Sequence, residues 1–163
     1  ALPISFFIDG KDMIYSVSVN GDGRPPYKNL NTGTFTNKGI EFEARYQICK
    51  NLNLDMNYSY LHMSKPIPGA PGHKFYAGAT YMPGRFTLNV NMQSVFDLYT
   101  DAEYSKKEDF TTLNAKVAYR FGTRDKGLNL FVKGENLTAT RYTINDGFPM
   151  PKAIFMGGID VTF

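Results

Sequence analysis

The stretch Leu52-Asn-Leu-Asp-Met-Asn-Tyr-Ser-Tyr60 alternates without exception: Leu52, Leu54, Met56, Tyr58 and Tyr60 are apolar or aromatic, and Asn53, Asp55, Asn57 and Ser59 between them are polar. Successive side chains of a strand point to opposite faces, so this period predicts a strand with one face on something apolar and the other on water. The pattern recurs on both sides. Phe86, Leu88, Val90 and Met92 oppose Thr87, Asn89, Asn91 and Gln93, and Leu113, Ala115, Val117 and Tyr119 oppose Asn114, Lys116 and Arg120. Shorter versions run over 40–46, 75–81, 128–135 and 153–163. The segment 4–19 reads as one long strand whose parity changes near Gly10, where glycine permits a bulge. Helical spacing is hard to find anywhere, so the chain is predicted to be all-β, with eight strands.

The connections alternate in length. Residues 21–33, 62–72, 96–109 and 138–151 form long connections, and 49–51, 83–84 and 122–127 short ones. Long loops at one end of an antiparallel meander and tight turns at the other are the layout of a transmembrane β-barrel. On the apolar parity, Tyr46, Tyr81, Phe86, Tyr119, Phe121 and Phe163 fall near the short-turn end. Tyr58, Tyr60, Phe75, Phe96 and Phe155 fall toward the long loops. Two aromatic girdles flanking an aliphatic band suit the two interfaces of a bilayer. A soluble β-sandwich would also alternate, because its strands bury one face against a second sheet. It has no reason to sort aromatics toward strand ends.

Composition sets the outer limits. The 163 residues fit one domain, 1–163, and 42% hydrophobic content with 13 Phe and 11 Tyr is too apolar for a disordered chain. A net charge of +3 without charge blocks does not suggest nucleic-acid binding. The single cysteine, Cys49, excludes an internal disulfide framework. No run approaches the roughly 18 apolar residues of a spanning helix, a test that is blind to strands. The opening Ala1-Leu-Pro-Ile-Ser-Phe-Phe-Ile8 lacks a basic leader region and reads as the middle of a strand.

Four stretches together resemble the C-terminal barrel strands of TonB-dependent outer-membrane receptors: Asn37-Lys-Gly-Ile-Glu-Phe-Glu43, Ile67-Pro-Gly-Ala-Pro-Gly-His-Lys-Phe75, Asn136-Leu-Thr-Ala-Thr-Arg-Tyr142, and the final alternating strand ending in Phe163. In the third, Thr-Ala stands where the family commonly has Phe-Asp. The resemblance implies a segment of a roughly 22-stranded barrel whose remaining strands, plug domain and coupling segment lie outside this chain. It further implies residence in the bacterial outer membrane and import of a scarce nutrient of the siderophore, vitamin, haem or glycan kind. Its implied partners are outer-membrane lipid, the rest of the barrel and plug, a TonB-type energy transducer, the barrel-assembly machinery that reads Phe163, and, as an option, a surface lipoprotein. A complete eight-stranded barrel acting as an anchor or adhesin is the alternative, and a soluble sandwich that binds a ligand is a more distant one.

The polar parity carries Glu41, Glu43, Arg45, Asp55, Lys116, Arg120, Lys133, Glu135 and Asp160, which would face the lumen, since a charge facing mid-bilayer lipid costs several kcal/mol. Mutual ion pairing is a better reading of them than substrate binding. Tyr27, Tyr99, Tyr104, Tyr142 and Phe148 lie in the long loops, where rings can stack on a flat or sugar-like ligand or pack loop against loop. His62 and His73, with Met63 nearby, are weak metal candidates lacking a third ligand, and no cofactor is expected. Asp97, Asp101, Glu103 and Asp109 match no known calcium-loop pattern. No nucleophile elbow, zinc-protease or phosphate-loop motif is present, so catalysis is not expected, and Cys49 reads as an inert thiol.

Overall fold

The computed structural model describes residues 1–21, 26–31, 33–101, 104–123 and 126–163, with the side chains of 15–17 excepted. It contains no helix among these residues. The strands are β1 (Leu2–Gly10), β2 (Ile14–Ser18), β3 (Tyr27–Asn31), β4 (Phe35–Cys49), β5 (Leu52–Met63), β6 (Pro71–Tyr81), β7 (Phe86–Tyr99), β8 (Lys107–Gly122), β9 (Gly127–Glu135), β10 (Thr143–Asn145), β11 (Phe148–Pro149) and β12 (Ile154–Thr162). Eight of them form one antiparallel sheet in the order β1-β4-β5-β6-β7-β8-β9-β12, and β2-β3 and β10-β11 are separate two-stranded ribbons. No second layer packs on the sheet among the described residues, which removes the sandwich. Nor does β1 pair with β12, as a self-contained eight-stranded barrel requires.

The ladder sorts the side chains into two faces, because directly paired residues project to the same side. Arg45 pairs with Asp55, Glu43 with Asn57, Asn91 with Asn114, Lys116 with Lys133, and Asn129 with Asp160. All nine charged residues of the polar parity therefore lie on one face. The other face carries pairs such as Phe42 with Tyr58, Ala79 with Val90, and Leu88 with Val117. The aromatic residues of both expected girdles share this apolar face. Phe86 meets Tyr119 edge-on at 4.8 Å, and Tyr119 meets Phe121 at 4.7 Å. The apolar side chains stay exposed: Val132 is 62% exposed and Val161 62%. A face so open marks a surface that meets a membrane or a partner.

Three expectations are corrected. The first concerns the segment 4–19, which is two strands rather than one. Gly10 pairs with Phe35 and Ile14 with Asn31, four residues on along each strand, so the register runs through and no bulge forms at Gly10. The break sits at Asp12 and Gly33, both left-handed (φ 61° and 75°). Asp12 N–H donates to Gly33 O (2.9 Å), and Asn31 Nδ2 donates to the Asp12 carboxylate (2.8 Å). The second concerns the connection 21–33, whose far half is strand β3, so Tyr27 stands in a strand opposite Ser18 rather than in a loop. The connection 138–151 likewise contains the β10-β11 ribbon. The third concerns 96–109: β7 runs on to Tyr99 and β8 starts at Lys107, which shortens the connection between them.

Strand β1 breaks the sorting. Leu2, Ile4, Phe6 and Ile8 pair with Glu43, Glu41, Gly39 and Asn37, and so stand on the polar face. Gly39 is where the Phe6 ring lies flat on the sheet: a Cβ there would come within 2.5 Å of it.

Candidate functional site

On the polar face two ion pairs and several neutral contacts engage the charges along the wall. Arg45 pairs with Glu43 at 2.8 Å and Lys133 with Glu135 at 2.5 Å. Lys116 places its Nζ 4.2 Å over the Phe131 ring, and Asn129 Nδ2 donates to Asp160 at 3.2 Å. Arg120, Asn129, Asp160 and Thr162 line a polar recess of about 200 Å³ at the short-turn end. Asp55 is bound by the Tyr76 hydroxyl across the gap that side-chain-free Gly78 leaves.

A chain of amides climbs the same face. Asn89 Nδ2 donates to Thr80 Oγ1 (2.8 Å), Asn91 Nδ2 to Asn89 Oδ1 (3.0 Å), and Asn114 Nδ2 to Asn91 Oδ1 (2.8 Å). Asn114 Oδ1 then accepts the backbone N–H of Asn136 (2.9 Å). Asn136, left-handed at φ 49° and only 5% exposed, donates in turn to the carbonyls of Thr140 (2.9 Å) and Pro151 (3.1 Å), closing the neck of the last loop. Alternation alone does not announce this network, although Asn89, Asn91 and Asn114 all fall on the polar parity.

At the long-loop end the polar face turns dry. Val95, Leu98 and Phe110 are buried, and the last loop folds onto them through Tyr142 and Ile144. Tyr142 stacks on Phe110 with centroids 3.9 Å apart. Polar clasps hold the loop down: Asp146 N–H donates to Thr100 O (2.8 Å), Lys106 Nζ to the Asp146 carboxylate (2.5 Å), and Thr143 Oγ1 to Glu108 (3.0 Å). The Asp146 carboxylate raises the pKa of Lys106. Burial pushes the Asp101 carboxyl up, but hydrogen bonds from Ser105 Oγ and from the Lys106 and Ser105 amides outweigh it and hold it below the ordinary value of 3.8.

The rings chosen from sequence are thus divided. Tyr142 is spent on packing. Tyr99 pairs with Lys107, is edge-on to Tyr104 at 5.6 Å, and lies 5.0 Å under the Lys107 ammonium. Tyr27 is 49% and Phe148 74% exposed, at a strand end and in a ribbon.

His62 and Met63, adjacent in sequence, fall on opposite faces. His73 is engaged instead by the Tyr58 hydroxyl at Nδ1 (2.7 Å), with Nε2 3.9 Å from Asp97. Asp97 is left-handed at a bulge and takes Lys107 at 2.6 Å, while its N–H donates to Asp109 (2.8 Å). Among the described residues no three His, Cys, Asp or Glu side chains gather as a metal site. Asp97, Asp101 and Asp109 are taken up by bonds within the rim, and Glu103 lies outside the described residues. Cys49, exposed, ends β4 at a register shift opposite Leu52.

The model of the TonB dependent receptor-like β-barrel matches residues 5–137. The chain belongs to this family. Its fold is similar to that of the copper transporter OprC (20% identity, TM-score 0.81, covering 99% of this chain and 28% of that one). It is also similar to BauA, the ferric preacinetobactin receptor of Acinetobacter baumannii (20% identity, TM-score 0.69, 95% and 26%), and to Fiu, the ferric-catecholate import receptor of E. coli K12 (15% identity, TM-score 0.70, 99% and 25%). The chain spans about a quarter of the length of each. In a barrel of this family the apolar face meets lipid and the polar face lines the lumen.

Proposed function

We propose that this chain is the C-terminal wall of an outer-membrane receptor that imports a scarce nutrient with energy supplied by a TonB-type transducer. The observation that carries it is the open eight-stranded meander with all of its polar-parity charges on one face, within a family match that covers most of the chain. Both edge strands are left to further strands. The apolar row Leu2, Ile4, Phe6 and Ile8 on the inner face supports an occupant of the lumen, for which a plug domain is the natural candidate. Of the rings chosen from sequence, Phe148 and Tyr27 are the two whose exposure supports ligand stacking at the mouth. Copper, ferric siderophores and other bulky nutrients are the substrate kinds to test first.

The test is growth of a strain deleted for the full-length gene on limiting nutrient panels, with and without an intact energy transducer. Rescue by the wild-type gene that vanishes when the transducer is removed is the expected outcome. Transducer-independent rescue, or no nutrient phenotype combined with loss of surface adhesion, would favour the anchor reading.

A further inference from the structure

Three cations line one recess at the short-turn end. Lys50 stands in the turn between β4 and β5, Arg85 in the turn between β6 and β7, and Arg120 on β8 just before the turn to β9. The turns are tied together along the rim. Met82 N–H donates to Asn51 O (2.7 Å), and Arg120 N–H donates to Arg85 O (3.0 Å), which extends the pairing of Phe86 with Tyr119 by one residue. Arg85 and Arg120 are therefore directly opposed on the polar face, with Cβ atoms about 5 Å apart.

Elsewhere on the sheet such charges are answered. Arg45, Lys106, Lys107 and Lys133 each meet a carboxylate, and Lys116 meets the Phe131 ring. Lys50, Arg85 and Arg120 are all exposed, and among the described residues none of them has an ion pair or a side-chain hydrogen bond. The nearest acid by register among these residues is Asp160, two strands from Arg120 beyond Asn129, and Asn129 Nδ2 already donates to it. Like charges directly opposed destabilise a sheet, and the backbone bond keeps these two arginines from moving apart. An oxyanion between them removes the repulsion, because guanidinium forks match carboxylate and phosphate bidentately. The recess, completed by Asn51, Thr87 and Thr123, holds about 860 Å³, which falls in the size range of small-molecule sites. It opens on the polar face, whereas the girdle rings Tyr81, Tyr119 and Phe121 project from the other. That placement favours a soluble ligand over a lipid headgroup.

We propose that Arg85, Arg120 and Lys50 form a binding site for a soluble polyanion, a ligand with at least two phosphate or carboxylate groups, at the short-turn mouth of the lumen. Three positive charges without an acid call for more than one negative charge. In the receptor proposed above this mouth faces the periplasm, so an anionic nutrient leaving the lumen passes the site. Only that direction of passage rests on the import reading; binding is measured on the purified receptor and fails or succeeds independently of nutrient rescue.

The experiment titrates the full-length receptor in phosphatidylcholine nanodiscs with pyrophosphate, with tricarballylate and with acetate at matched ionic strength, and reads the affinity by calorimetry. Pyrophosphate and tricarballylate should bind at least about tenfold more tightly than acetate. Arg85→Gln/Arg120→Gln should weaken pyrophosphate by about tenfold, the scale of one lost charge-assisted hydrogen bond, while the heat-modifiable barrel is kept. Arg85→Gln alone, in an exposed turn, should give part of that loss should the double variant fail to assemble. Lys116→Gln, a cation of the same wall that already has its ring, should leave the affinity unchanged. Doping the nanodisc with phosphatidylglycerol should not compete. Equal binding of acetate and the polyanions, full affinity in the arginine variants, an equal loss in Lys116→Gln, or competition by phosphatidylglycerol would each overturn the proposal, the last by making the site one for a lipid headgroup.

Discussion

Lys116 and Lys133 face each other directly across β8 and β9, an arrangement that would repel, yet each has its own remedy: the Phe131 ring for one and Glu135 for the other. The same economy explains the rim, where Asp97, Asp101 and Asp146 are taken up by neighbouring donors. Asp101 is the residue whose state is most open to test. Its folded pKa lies below the ordinary 3.8, so its bonds stabilise the turn at neutral pH, and that stabilisation is lost as pH falls below 3.8 through the folded value. Protection of the Ser105 and Lys106 amides, taken relative to their intrinsic exchange rates, should therefore fall in acid, and Asp101→Asn should abolish that pH dependence. The dry patch is a second point of test. Removing the Phe110 ring should cost about 3 kcal/mol by emptying the space under Tyr142. Phe110→Ala should leave the barrel assembled but expose residues 138–151 to protease, and an unchanged digestion pattern would mean that the stack does not hold the loop. The exposed Phe148 was legible from sequence as a loop ring, but the burial of Tyr142 was not, because nothing in a sequence of loop aromatics says which one finds a partner.

At the level of elements, β4 and β8 have 15 and 16 residues, more than the roughly ten that cross a bilayer at a tilt. The excess carries the rim above the membrane at the long-loop end, where the last loop closes over it. The apolar face should therefore be sensitive to charge according to depth. Val117, paired with Leu88 and Val132 in the middle of the band, should lose about 2–4 kcal/mol on Val117→Lys if it reaches the midplane. Val161→Lys, close to the short-turn interface, should cost less because the side chain can snorkel. Thr162→Lys, on the polar face, should be tolerated, and deletion of Phe163, 99% exposed at the chain's end, should impair insertion in cells without touching a loop. The folded, heat-modifiable fraction of each variant in outer membranes is the measurement. A defect confined to Thr162→Lys would mean that the two faces are reversed. Period-two alternation predicted this sorting for β5, β7 and β8 because both faces of those strands meet different media. It failed for β1, whose apolar residues lie on both faces, so that only pairing with β4 decides which row looks inward.

At the scale of the whole sheet, β1 and β12 lie at its two edges, and among the described residues no pair of strands closes it. The 163 residues expressed alone should therefore remain unprotected in detergent and fail to show the heat-modifiable band of the full receptor, whereas a closed eight-stranded barrel would show it. The all-β meander, the two faces of the strands after β1, the girdles and the end that carries long loops were determined by the sequence itself, because a bilayer imposes a local rule on every second residue of a crossing strand, whereas the two extra ribbons and the facing of β1 were not. Two features came only with the tertiary structure: the folding of the last loop onto Phe110 and the amide chain from Asn89 to Asn136. Each joins residues that lie far apart in the chain and meet only through the register of neighbouring strands or the path of a loop. Alternation determines which way a side chain points; what it meets there depends on pairing between strands.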